Sequence, residues 1–270
     1  MKNLLPAIFL AFNFISCNSS GEHQVQPADS LQQLLASIRD SIKKYPANPK
    51  TRYNLAIVLQ DAGRYKEAVI ALDSMNILKG DSTHPRLYFD YLFKSAELLE
   101  LAGDTLAAIK TLEMFVVPGE LTQAGLRLTN LYAETKNPKA IFFSDEMKNN
   151  DASGKDPYPD YLKGIYYYNI NELNKAVMQF DACIRKDYNF LEAYLEKGTI
   201  QFKQEKFNDA LKTFDLALQI SNSFADAYFW KAKCQEALGL KQDAKLNYLR
   251  AYSLDKTLTE AKEFADRINN

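Results

Sequence analysis

The chain has 270 residues, with 33 Lys and Arg against 34 Asp and Glu, and 47% of its residues are hydrophobic. This even balance excludes the broad basic surface that is typical of nucleic-acid-binding proteins, so we predict no nucleic-acid partner. The hydrophobic fraction is ample for a folded core.

The N-terminal segment, residues 1–16, has the pattern of a secretion signal. Lys2 precedes an apolar run over residues 4–15, which is too short to cross a bilayer as a permanent helix. Ser16 and Cys17 end this run. A cysteine directly after a small residue at that place resembles the bacterial lipoprotein box, although Phe14 stands where that box usually has leucine.

The lipoprotein resemblance implies three things about the start of the chain. Residues 1–16 would be removed as a lipoprotein signal peptide, Cys17 would carry the lipid, and residues 17–28 would form a flexible tether. Several acyl chains, each contributing about 0.8 kcal/mol per buried CH₂, would then anchor the protein stably. The alternative is an ordinary signal peptide cleaved elsewhere, which leaves Cys17 without a role.

The next segments are predicted to be helical. Residues 29–48 form an N-terminal helix that begins at the good capping residues Asp29 and Ser30 and carries leucine and isoleucine at helical spacing. Residues 49–118 read as two helical hairpins, and Gly63 marks the first turn, where a positive φ is cheap only for glycine. Residues 119–156 read as a degenerate hairpin followed by a polar loop or hinge around Gly154.

Residues 157–256 repeat every 34 residues. Position 8 of each unit is small, position 20 is alanine, position 24 is aromatic and position 27 is small. The columns are Gly164, Gly198 and Ala232; Ala176, Ala210 and Ala244; Phe180, Phe214 and Tyr248; Cys183, Ala217 and Ala251. This residue set resembles the tetratricopeptide repeat (TPR).

The TPR resemblance implies an all-α fold, a right-handed α-α superhelix of antiparallel helical hairpins. Small residues stand where the two helices of a hairpin cross, and units stack because one hairpin cannot bury its apolar face alone. Residues 257–270 would then be a C-terminal capping helix with a solvent-facing charged side. Because a unit contacts only its neighbours, we expect Cys183 and Cys234 to be small core residues and not a disulfide.

No catalytic or metal-binding pattern is present in the sequence. The two histidines, His23 and His84, have no Cys or His at metal-ligand spacing, and there is no phosphate-binding glycine loop, GxSxG or HExxH motif. Carboxylate pairs such as Asp145 and Glu146 are better explained by a solvated helix face. We therefore predict a non-enzymatic protein without cofactor or metal.

The TPR resemblance also implies a binding surface. In that family, positions 2, 5, 9 and 12 of each first helix face a concave groove, and these offsets fall on one helical face. The partner-binding groove expected here contains Tyr158, Tyr161, Ile165, Tyr168, Leu195, Thr199, Phe202, Phe229 and Lys233. Packing of these rings against neighbouring helices is the alternative. Only Asn54 resembles a residue of the carboxylate clamp of chaperone-binding TPR proteins, so binding of a C-terminal carboxylate is not expected.

One further pattern concerns modification. Asp followed by Ser or Thr and an apolar residue occurs four times before residue 107, and this resembles the O-glycosylation signal of one group of Gram-negative bacteria. Ser30, nearest the tether, is the main candidate. Helix capping by Asp and Ser is the alternative explanation.

Together these patterns predict a lipid-anchored TPR scaffold or adaptor that binds protein partners in the envelope of a Gram-negative bacterium, most simply at the outer membrane. A surface lipoprotein that binds a glycan or small ligand is the alternative. A long open groove would favour a peptide or protein, whereas a closed aromatic pocket would favour a glycan. The oligomeric state is left open.

Overall fold

The computed structural model of the chain describes residues 27–46, 48–73 and 85–268, which are helical with short connections and contain no strand. The helices are α1 (Pro27–Lys44), α2 (Pro49–Asp61), α3 (Tyr65–Asp73), α4 (Pro85–Leu101), α5 (Thr105–Glu113), α6 (Gln123–Glu134), α7 (Lys139–Asn150), α8 (Tyr158–Asn169), α9 (Leu173–Lys186), α10 (Leu191–Lys203), α11 (Phe207–Ile220), α12 (Ala225–Ala237), α13 (Lys241–Leu254) and α14 (Thr259–Arg267).

The helices pair into antiparallel hairpins that stack in chain order. The pairs are α2–α3, α4–α5, α6–α7, α8–α9, α10–α11 and α12–α13. The second helix of each pair packs against the first helix of the next, and α13 packs against α14 in the same way. The all-α superhelix predicted from the sequence is therefore confirmed.

Each of the six hairpin turns places one residue in the left-handed region. These residues are Gly63, Gly103, Lys136, Asn171, Glu205 and Gly239, with φ between 60° and 83°. In the first turn the Gly63 N–H donates to Gln60 O and the Arg64 N–H donates to Leu59 O, both at 2.8 Å. This pair of hydrogen bonds closes the last turn of α2. The φ of 71° at Gly63 confirms the positive value predicted from the sequence.

The repeat columns form the core of the hairpins. Ala210, Phe214 and Ala217 are all completely buried, as are their counterparts in the units before and after. A Cβ placed on Gly198 would stand 2.5 Å from the Phe214 ring, and one on Gly164 would stand 2.5 Å from the Phe180 ring. The glycines therefore allow the rings to lie directly on the backbone of the facing helix.

A ladder of ion pairs joins successive units along the chain. Lys197 pairs with Asp181 at 2.7 Å, and Lys231 pairs with Asp215 at 2.6 Å; Lys163 and Asp145 form the equivalent pair one unit earlier. Each pair links the first helix of one unit to the second helix of the unit before it. The contacts lie at the surface, so each contributes up to about 1 kcal/mol.

The two cysteines that the structure describes, Cys183 and Cys234, are both buried and free. Burial raises the pKa of each thiol to about 12, so both stay protonated at physiological pH. The prediction that they do not form a disulfide with each other is confirmed.

The loop between α7 and α8 is held by one carboxylate. Asp151 Oδ1 accepts hydrogen bonds from the Ser153 N–H and hydroxyl at 2.9 and 2.6 Å, and Asp151 Oδ2 accepts one from the Asp156 N–H at 2.8 Å. These bonds lower the pKa of Asp151 to about 2. The expected loop is present, and it has a defined local structure.

Candidate interaction groove

The expected groove residues lie on the first helices of the last three units, α8, α10 and α12, and they differ in exposure. Tyr158 is exposed, whereas Tyr168, Leu195, Thr199, Phe202 and Lys233 are half-buried, and Tyr161, Ile165 and Phe229 are buried. Only six of the nine expected residues therefore have side chains that solvent, and hence a partner, can reach.

The buried members are covered by rings from neighbouring elements. Tyr161 packs against Phe190, at the start of α10, with ring centroids 4.9 Å apart. Phe229 stacks on Phe264 of α14 with centroids 6.1 Å apart. These rings support the groove from beneath because each is enclosed by the adjacent helix.

An aromatic cluster forms the surface between α10 and α12. The Phe202 and Trp230 rings meet edge to face with centroids 5.5 Å apart, and both remain half-buried. Lys233 extends over this cluster: its Nζ is 4.7 Å from the Trp230 ring centroid and 5.3 to 6.0 Å from those of Phe202, Phe229 and Phe264. Cation–π attraction holds the ammonium there.

Glu196, on α10, is a half-buried carboxyl. Burial raises its pKa to about 7. Burial also raises the pKa of Tyr161 and Tyr168 on α8, and the negative charge of Glu196 adds to that rise. Tyr168 has Lys203 Nζ 5.2 Å from its ring centroid.

The groove set expected from the sequence included neither Glu196 nor Trp230. Both occupy position 6 of their units, where the preceding unit has the buried Leu162. An acidic residue in a column shared with leucine and tryptophan was the signal that could have identified Glu196. Phe264 had no such signal, because its approach to Lys233 depends on how α14 folds back on α12.

A separate cleft of about 450 Å³ lies at the α9–α10 turn and α11. It is lined by Tyr188, Asn189, Tyr194, Leu216, Gln219 and Ile220. None of these residues belongs to the expected groove. The cleft is open to solvent along one side and is not an enclosed aromatic pocket.

Several expectations from the sequence fall on parts of the chain without a described structure. Cys17, the signal segment and residues 17–26 of the tether lie outside the described residues, as do His23 and His84. Ser30 lies in α1, but its side chain is also outside them.

The described side chains and helices offer neither a metal site nor a membrane-spanning helix. Among these residues, no three His, Cys, Asp or Glu side chains come close enough together to hold a metal ion. None of the helices that the structure describes has the length and hydrophobicity needed to cross a membrane.

Comparison with known proteins identifies the repeat. Residues 161–223 and 225–258 each match a family model described as tetratricopeptide repeat. The chain is similar to a tetratricopeptide repeat protein from Parabacteroides merdae, at 19% identity and a TM-score of 0.66, covering 90% of this chain and 94% of that one. No curated protein matches by sequence.

A second solved structure shows the same architecture. The APC/C hetero-tetramer Cut9–Hcn1 is similar at 13% identity and a TM-score of 0.52, covering 90% of this chain and 47% of that one. At such identities the likeness concerns the fold alone. The chain contains TPR units in an all-α superhelix, an architecture that is consistent with a scaffold for protein–protein interaction.

Proposed function

We propose that this protein is a non-enzymatic scaffold that binds a peptide or helix of a partner protein in its groove and is anchored to the bacterial envelope through lipid on Cys17. The observation that carries the binding proposal is the row of accessible rings on three successive first helices: Tyr168 on α8, Phe202 on α10 and Trp230 on α12. Half-buried aromatic rings supply large contact area with little loss of side-chain entropy, which suits a peptide or helix.

The shape of this surface favours a peptide over a glycan. The rings are distributed along the faces of separate helices, with Lys233 extended across them, and a chain can follow such a surface over several residues. A sugar site would need rings and polar groups that converge on one enclosed pocket.

Binding is tested by crosslinking in intact envelopes with wild type and a Tyr168→Ala/Phe202→Ala variant. We choose these two rings because truncation of the buried Tyr161 or Phe229 would leave a core cavity. Tyr188→Ala is the matched control, since Tyr188 is 68% exposed and lies outside the groove. A partner lost from the double variant and kept by the control supports the groove. Identical crosslinks in all three proteins would move the interaction to another surface.

The anchoring proposal depends on the sequence around Cys17. Cys17→Ala is expected to move the protein from the membrane fraction to the soluble fraction, because the acyl chains are then absent. Retention of the variant at the membrane would contradict lipid anchoring. The outer membrane is the proposed location.

O-glycosylation at Ser30 belongs to the same proposal. The intact mass of wild-type protein from envelopes should exceed the sequence mass, after allowance for the lipid, and the difference should fall in Ser30→Ala. Equal excess mass in both proteins would assign Ser30 to helix capping alone.

A further inference from the structure

The helix α1 has the place of a second helix in a hairpin. Four residues separate α1 from α2, as four residues separate the second helix α9 from the first helix α10. Counting back from Pro49 through one 34-residue unit, positions 20, 24 and 27 fall on Leu34, Ile38 and Ser41. In a complete hairpin these are the positions that its first helix covers.

The same positions are open in α1. In α9, α11 and α13, which each follow a first helix, all three positions are completely buried. In α1, Leu34 is 47% exposed, and Ile38 and Ser41 are half-buried. Tyr45, four residues beyond Ser41, is 54% exposed. Because these residues are three or four positions apart, they share one side of the helix. We name this side the α1 face: Leu34, Ile38, Ser41 and Tyr45.

A different side of α1 holds it on the solenoid. Leu35 is buried in a core that it shares with Ala56 and Leu59 of α2, and Leu31 packs against the same core. The α1 face is therefore not used in attaching α1 to α2, and its apolar side chains are available to another helix.

The chain's own repeat does not supply that helix. The 34-residue spacing would assign the first helix to residues 15–27, which are mostly polar and include Gly21. Position 20 is alanine in α3, α5, α9, α11 and α13, where two helices cross closely, whereas α1 has Leu34 there. A leucine holds a facing helix further away, so the face fits a helix that meets it side chain to side chain.

The α1 face is complementary to a second copy of itself in the antiparallel direction. Its midpoint lies between Ile38 and Ser41, and a twofold axis there sets Ile38 opposite Ser41 of the second copy. The bulky side chain then meets a small one, and Leu34 packs on the Tyr45 ring. The Ser41 hydroxyl already donates to Ser37 O at 3.0 Å, so its burial leaves no unpaired donor.

The charges of α1 favour the same direction. Residues 27–36 carry a single charged residue, Asp29, whereas residues 37–44 carry Arg39, Lys43 and Lys44 against Asp40. Antiparallel copies place the acidic half of one helix beside the basic half of the other. Parallel copies would place the two basic halves together, and their helix dipoles would also be aligned.

We propose that two copies of this chain associate through the α1 face, with their α1 helices antiparallel. The contact runs over residues 34–45, about 18 Å of helix, and is therefore smaller than the roughly 800 Å² per partner of a standard interface. Association is weak in solution and increases with local concentration, as on a membrane. The proposal does not depend on the groove, which lies on α8, α10 and α12, or on the lipid.

The register is tested by disulfide crosslinking in envelopes from cells that make two variants of the full chain, Ile38→Cys and Ser41→Cys. The disulfide between positions 38 and 41 should predominate over the two same-residue disulfides, because the antiparallel arrangement sets these positions opposite each other. Ala36→Cys is the matched control, since Ala36 is exposed on the opposite side of the same helix. Wild type measures the background from the native cysteines.

Sedimentation equilibrium of the purified full chain gives a second readout. Leu34→Asp should lower the self-association constant at least about tenfold, because the contact would bury an unpaired carboxylate. Met178→Asp should leave the constant unchanged, since Met178 is 65% exposed on α9 and lies outside the α1 face. Far-UV circular dichroism checks that both variants are folded.

The outcomes decide both the occupant and its direction. Predominance of same-residue disulfides would overturn the antiparallel arrangement. Crosslinks from positions 38 and 41 to another protein, or dimer no more abundant than in Ala36→Cys, would overturn the second copy as the occupant. Equal self-association of wild type and Leu34→Asp would do the same. None of these results bears on Tyr168 and Phe202, whose own variant tests the groove.

Discussion

Adding one methyl group at Gly198 should separate the two helices of its hairpin. The Cβ of Gly198→Ala would stand 2.5 Å from two carbons of the Phe214 ring and 3.0 Å from a third, where ordinary contact is about 3.5–4 Å. Phe214 is completely buried, so the ring or the helix has to move by about 1 Å. Such overpacking costs about 1–3 kcal/mol.

The helix propensity of alanine opposes this loss. Alanine is favoured over glycine in a helix by about 1 kcal/mol, so the net loss of unfolding free energy should be up to about 2 kcal/mol. Urea titration followed by far-UV circular dichroism measures it. A higher stability would refute the reasoning, since it would mean that helix propensity outweighs a contact that the ring can easily relieve.

A double-mutant cycle isolates the steric cause. Phe214→Leu alone should destabilise by about 1–2 kcal/mol through lost contacts. In combination with Gly198→Ala, the smaller side chain makes room for the new methyl group. The loss in the double variant should therefore fall short of the sum of the single losses by about 1 kcal/mol. Simple additivity would show that the methyl group and the ring do not collide.

Three further predictions concern stability. Ala210→Leu should destabilise by about 1–3 kcal/mol, because Ala210 is completely buried in the hairpin core, and an unchanged unfolding midpoint would contradict that packing. Gly239→Ala should destabilise by about 1 kcal/mol through its left-handed φ of 78° alone, since a Cβ there meets nothing within 4 Å. Glu205→Gly, at the same place in the preceding turn, should stabilise by up to about 1 kcal/mol. A change of the same sign in both variants would contradict this reasoning. Glu196→Gln should gain stability over wild type as pH rises from about 4.5 to 7, because the folded protein holds the Glu196 carboxyl proton more tightly than the unfolded chain does. The gain in unfolding free energy should reach about 2–3 kcal/mol at pH 8. A stability difference that does not change with pH would contradict this prediction.

The repeat columns were predictable because a helix crossing imposes residue size at fixed spacing. A small residue at Ala210 and a large one at Phe214 fit the crossing, and the neighbouring units have the same sizes at the same positions. The register of the 34-residue repeat could therefore be read from the sequence alone. The turns were only partly predictable. The glycine at position 63 predicted a positive φ. Asn171 and Glu205 adopt the same conformation without a glycine, because the hydrogen bonds that close their helices hold the backbone there.

The exposure of the expected groove residues was harder to predict, because helical offsets give the direction of a side chain but not its depth. Tyr161 and Phe229 point towards the groove side of their helices, yet Phe190 and Phe264 cover them. That covering depends on how close one unit lies to the next, which no spacing within a unit encodes.

The ladder of Lys–Asp pairs has a consequence for how long such a molecule can be. Each pair joins adjoining units at one spacing, so excision of 34 residues, for example 190–223, would bring Lys231 to the place of Lys197 opposite Asp181. Phe224 would likewise replace Phe190 at the start of the following helix. The joints between these last units therefore match, and removal of one such unit would keep the same ion pair and the same aromatic residue at the new joint. The excised unit would take Phe202 with it, so the residues of the proposed groove could change while the joints between units stay the same.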